Sequence, residues 1–110
     1  MPAPKWKSAP FNGGWACSLL ASQDGVAIDS VGLDLLSSEW PDLPDLKFAD
    51  QYLVEAALAD NPPSGARYDP QRAGAKARSL GVMEHWNSAH KYSRDLGKPA
   101  GIELLQSTVN

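Results

Sequence analysis

From Trp15 to Ser38 the chain reads WACSLLASQDGVAIDSVGLDLLSS, and this stretch limits the possible folds more than any other. Cys17 to Ala21 carries no charge and only small or aliphatic side chains. Breakers on either side leave too little length for a buried helix, so the run suits a strand covered on both faces. Gln23-Asp24-Gly25 supplies a tight turn. Asp24 is a good N-cap, because its carboxylate can accept from the open amides of a first helical turn at the positive end of the dipole. In the helix it opens, Ala27, Ile28, Val31 and Leu35 share one face with Gly32 beside them. Ser30, Asp34 and Ser37 fall on the opposite, solvated side, and Asp29 lies on the border between Leu33 and Leu36. Gly32 in mid-helix costs about 1 kcal/mol against Ala, and its expected use is the close approach of a strand or second helix.

Residues 1–14 hold Pro2, Pro4, Pro10 and Gly13-Gly14, and read as an extended lead-in laid along the body by Trp6 and Phe11. Residues 15–110 read as one domain. EWPDLPDLK is a loop with apolar pegs at Trp40, Leu43 and Leu46. A second helix is predicted from about Asp45 or Phe48 to Asp60, since Ala49, Tyr52, Leu53, Ala56 and Ala57 recur at helical spacing. Asn61-Pro62-Pro63 ends it. Residues 61–79 are polar and rich in breakers, with a short helix expected near Ala73 to Leu80. Val82 to Trp86 alternates enough for a short strand, and Ile102 to Leu105 suits a closing strand paired with residues 17–21. The expected class is therefore α+β, or α/β: a small sheet with two main helices packed on it and long loops.

Composition removes several function classes. Ten basic residues against 13 acids give −3, without the basic stripe of a nucleic-acid binder. No apolar run approaches the ~20 residues needed to span a bilayer. MPAPKWK has no apolar stretch behind it, so no secretory signal is expected, and the compartment stays open. Cys17 is the single cysteine. One thiol can form no internal disulfide and cannot hold an iron–sulfur cluster or structural zinc, so no cofactor is expected.

The strings SLLASQDGVAIDSVGLDLL, YLVEAALADNPPSG, LGVMEHWN and YSRDLG with GIELL occur in this order. Together they resemble the C-terminal part of the domain-of-unknown-function 362 family, over about Trp6 to Leu105. The resemblance implies a bacterial protein associated with iron–sulfur modules, with some relatives exported, and no reaction attached to the core domain. Two positions depart from the family. It commonly has proline after SQD, where this chain has Gly25, which should loosen the turn by up to ~1 kcal/mol. Its later His-Glu-His-Trp motif stands here as Met83-Glu84-His85-Trp86, so a two-histidine site implied by the resemblance is lost or weakened. Family domains are longer, which places this chain as a fragment or stand-alone relic of the domain's end.

Each candidate for chemistry has a plainer rival. Free amides around Ser22, Asp24 and Val26 could bind an anion beyond a strand end, but Asp24 already supplies one there, and capping is favoured. Asp24, Asp29 and Asp34 could suggest paired carboxylates. However, steps of five residues turn them away from one another, and a cap, a border residue and a solvated acid are favoured. His85 and His90, with Glu84, Met83 and Cys17, form the one set suited to a transition metal, though the spacing matches no metal motif. Asp29 and His85 are the candidate acid–base residues. Trp86, with Trp6, Trp15 and Trp40, could line a ligand groove or serve as an anchor, and anchoring is favoured.

Two function classes follow. The first is a non-catalytic assembly or partner-completing module of a redox-associated family, because the strand and helices carry more apolar surface than a short sheet can cover. A homo-oligomer or a missing partner domain would supply the cover. The alternative is a small metal-binding protein or enzyme with a cleft near Asp29, His85 and His90.

Overall fold

The computed structural model describes residues 6–15, 18–66, 69, 72, 74 and 78–107. Asp24, in extended conformation, opens helix α1 (Gly25–Glu39), and its Oδ1 accepts the Ala27 amide at 2.9 Å. The helix closes at Trp40, whose N–H reaches the Leu36 carbonyl. Its last turn is covered by the lead-in. Trp6 N–H bonds the Gly14 carbonyl at 2.9 Å, so residues 6–14 double back on themselves. Ser8 then donates its hydroxyl to the Ser38 carbonyl and its amide to Glu39 Oε1. The Trp6 ring meets Phe11 and Trp40 edge-on at 5.2 and 4.8 Å. Open carbonyls at a helix end need such partners.

Helix α2 (Leu46–Ala57) packs on α1, yet none of its residues is fully buried. Ala49, Leu53, Ala56 and Ala57 are half-covered, and Tyr52 remains 75% exposed. A short 3-10 turn, Arg94–Leu96, is the third regular element.

The expected α+β or α/β class does not hold. Among the described residues the regular structure is helical, with no β-strand and no sheet. The three segments expected as strands each have another fate. Residues 18–21 are exposed, Leu19 completely so; Cys17 lies outside the described residues. Residues 102–105 form no ladder with 18–21, and the two segments instead line one groove of about 490 Å³ floored by Ile28, Val31 and Leu35. Residues 82–86 bond to the side chains of α1. Val82 N–H donates to Asp24 Oδ2, Glu84 N–H to Ser30 Oγ and Trp86 N–H to Asp34 Oδ2, at 2.9 to 3.0 Å. Alternate amides of an extended chain recur every ~6.6 Å and four helical residues rise ~6 Å, so Ser30 and Asp34 match that repeat. A polar helix face has taken the place of a neighbouring strand. Of the short helix expected at 73–80, Ala73 and 75–77 lie outside the described residues, and Arg78 to Leu80 is irregular.

This docking also reverses the reading of α1. Ser30 is fully buried and Asp34 is 5% exposed, although both belong to the face expected in solvent. The apolar side contributes Val31 to a small core with Tyr92 and Ile102, joined by Ala27, Leu35, Trp86 and Leu104. Gly32 meets nothing within 4 Å of where a Cβ would stand, so no close approach explains it. The close approaches fall elsewhere. A Cβ on Gly81 would sit 1.9 Å from Asp24 Oδ1, and one on Gly101 would sit 2.7 Å from Glu84 Oε1, both at positive φ. These two glycines let irregular backbone reach the carboxylates that hold it.

Candidate functional site

The polar face of α1 builds the only concentrated chemistry among the described residues. Asp34 accepts from His85 Nδ1 at 2.6 Å, from the Trp86 amide at 2.9 Å and from the Tyr92 hydroxyl at 2.6 Å. Tyr92 is fully buried, and its burial, together with the neighbouring Asp34 carboxylate, pushes its pKa far up, so it stays a neutral donor. A buried carboxylate is tolerable when hydrogen bonds saturate it, and this one has three donors.

His85 is held at its other end as well. Nε2 lies 2.7 Å from Asp50 Oδ1 on α2, and the imidazole side chain is half exposed. With an acceptor on each nitrogen, the ring is best matched as imidazolium, donating from both. The Asp34 hydrogen bond raises its pKa above the ordinary 6.5; desolvation opposes this, and Asp50 adds to the rise. The inner carboxylate is buried, whereas the outer one is half exposed on a helix with no buried residue.

A second carboxylate secures the next layer. Glu84 directs its backbone at Ser30 and its side chain the other way, accepting the Ser93 amide and hydroxyl and the Ile102 amide. Burial works to raise its pKa, but those amide and hydroxyl donors outweigh it and the net shift is downward. Asp95 accepts the Tyr92 and Leu104 amides in the same manner. Backbone groups that a sheet would have paired are paired here by side-chain oxygens.

The residues singled out in the sequence are only partly brought together. Asp29 is exposed on α1 and is not among the groups bonded to His85. His90 stacks flat on Trp86, centroids 4.3 Å apart and planes 6° from parallel, and is not among the groups bonded to His85. Ser22 Oγ accepts the Asp24 amide, and both Asp24 oxygens are occupied by Ala27 and Val82, which fills the space an anion would need. Sequence reasoning weighed Asp34 but set it aside as a solvated acid, and it missed Asp50 and Tyr92. The available signal was Ser30 and Asp34 at i, i+4, two short acceptors able to bond a passing backbone.

Cys17 is the sole cysteine, and among the described residues no group of three or more His, Cys, Asp or Glu is placed to hold a metal. No helix among them is long and apolar enough to cross a membrane. No family model, no curated protein and no solved structure matches this chain.

Proposed function

We propose that this chain is a small acid–base or ligand-binding domain whose working group is the His85 imidazole. The observation that carries the reading is the asymmetric pair of carboxylates: Asp34 buried and saturated on Nδ1, Asp50 half exposed on Nε2. Asp34 orients the ring and keeps a proton on its inner nitrogen, which is the arrangement a histidine acid–base needs. Asp50 masks the outer nitrogen. When Asp50 is displaced, Nε2 can donate to a ligand oxygen or, once deprotonated, act as base or nucleophile. Asp29 has no part in this version of the site.

Acylation by p-nitrophenyl acetate tests it. In that step Nε2 bonds the acetyl carbon and p-nitrophenolate leaves. Asp50→Ala should speed release at pH 7 several-fold over the unaltered chain, since it both uncovers Nε2 and removes a carboxylate that raises the pKa. Asp50→Ala combined with His85→Gln should return to background. Equal rates for Asp50→Ala and the double variant would overturn the reading.

A second reading is favoured by a separate observation. Among the described residues the buried apolar ones are Val26, Val31, Leu33, Tyr92 and Ile102, while Leu19, Leu105, Tyr52, Leu80 and Phe48 all stay more than half exposed. So much open apolar surface supports a module that completes its core by assembly. Kinship with the C-terminal part of the domain-of-unknown-function 362 family, and its redox setting, belong to this reading. Sedimentation of a well-folded monomer across micromolar concentrations would count against it.

A further inference from the structure

His85 stands between the two helices and makes both ion pairs found among the described residues, to Asp34 on α1 and to Asp50 on α2. Among those residues no hydrogen bond runs directly from α1 to α2, so the polar link between the helices passes through this one ring. Asp50 lies in the N-terminal half of α2, where Asp45 makes no side-chain cap and no residue is buried. The far end is held separately: the Leu80 amide bonds the Ala56 carbonyl at 3.0 Å.

We propose that the N-terminal half of α2 is a pH-gated cover, lying against α1 while both His85 nitrogens are protonated and swinging out, hinged near Ala56, when the outer proton leaves. The outer proton is the one to go. Nδ1–H serves Asp34, which is only 5% exposed and would be left a donor short inside the protein. Nε2 faces Asp50, whose side chain is 44% exposed to water. Without that proton, a ring lone pair and a carboxylate oxygen stand 2.7 Å apart as two acceptors, and they must separate. Nothing else around the ring replaces the lost charge. Glu84 turns its carboxylate to Ser93 and Ile102, Tyr92 is a neutral donor to Asp34, and His90 is stacked on Trp86. Lys47, one turn before Asp50, forms no ion pair among the described residues. The Asp34 hydrogen bond raises the His85 midpoint above the ordinary 6.5, so the change falls above that pH. A released helix of 12 residues is marginal in water, so α2 frays as it leaves α1. The gate rests on the His85 reading above for what it uncovers: a single titration frees Nε2 and removes its cover.

Amide exchange of the whole chain, followed by NMR from about pH 6 to 9 and corrected for intrinsic base catalysis, tests the gate. Relative to the amides of Val31 to Leu35, those of Asp50 to Val54 should exchange about two- to fivefold faster above the His85 midpoint than below it, the range an exposed ion pair spans. Asp50→Asn should flatten that step, because an asparagine side chain accepts from the charged ring and donates to the neutral one. A flat ratio in the unaltered chain, or an equal step in Asp50→Asn, overturns the gate. The exchange step does not depend on ester cleavage. A step that appears while p-nitrophenyl acetate cleavage stays at background supports the gate and sinks the catalytic reading, and the reverse pattern overturns the gate alone.

Discussion

The two flanks of α1 contrast sharply. On the polar flank, Asp24, Ser30 and Asp34 hold residues 82–86, and every buried side-chain polar atom described has a partner. On the apolar flank, Ile28 and Leu35 face an open groove of about 490 Å³ beside the exposed Leu19 and Leu105. Hydrogen bonds from a side chain to a distant backbone need only two segments and correct spacing. Apolar burial needs area, and a chain of 110 residues with much irregular structure supplies little. The polar side of this helix is therefore the finished side.

The strongest way to break that contrast is Asp34→Ala. It strips an acceptor from His85, Trp86 and Tyr92 at once, and should lower urea-unfolding stability by about 3–5 kcal/mol. Asp29→Ala, five residues earlier and exposed, should stay within about 0.5 kcal/mol. Equal effects would mean that the polar flank does not hold the fold. Ser30→Ala comes next. The Ser30 hydroxyl both donates to the Glu84 carbonyl at 2.5 Å and accepts its amide, so its loss leaves two partly buried backbone groups open and should cost about 1–3 kcal/mol.

The pH dependence sharpens the comparison further. His85 has a folded pKa raised above its unfolded value, so its link between α1 and α2 contributes fully below the ordinary 6.5 and is lost as pH rises through the folded value. Proton NMR of the His85 ring should show that raised midpoint, and Asp50→Asn should shift it down. Glu84 has the opposite sign: its lowered pKa gives stability above its ordinary 4.5 that disappears as pH falls through the folded value. Among the groups that hold residues 82–86 and His85, the smallest effect is expected from Asp50, the half-exposed partner of His85. Asp50→Asn should change stability by less than about 1 kcal/mol, measured by the same urea titration.

Both helices were legible in the sequence. Asp24 caps α1 as its position suggested, and the Ala49, Leu53, Ala56 spacing marks α2. The sheet was misread for a definite reason. Alternation in 82–86 does report extended backbone, but it does not say whether a strand or a row of side chains will pair with it. Asp34 was assigned to solvent because periodicity assumes one buried face per helix, and α1 has two. The Asp34–His85–Asp50 arrangement was beyond reach, since the three residues are far apart in the chain and no motif links them.

Local chemistry was settled by the sequence alone: where α1 begins, that α2 forms, and that a lone thiol can hold no iron–sulfur cluster. Tertiary structure decided what the polar residues are for. A carboxylate becomes a linchpin only when a distant amide, imidazole and phenol arrive around it. Their arrival depends on long-range packing, which helical and strand periodicities do not encode.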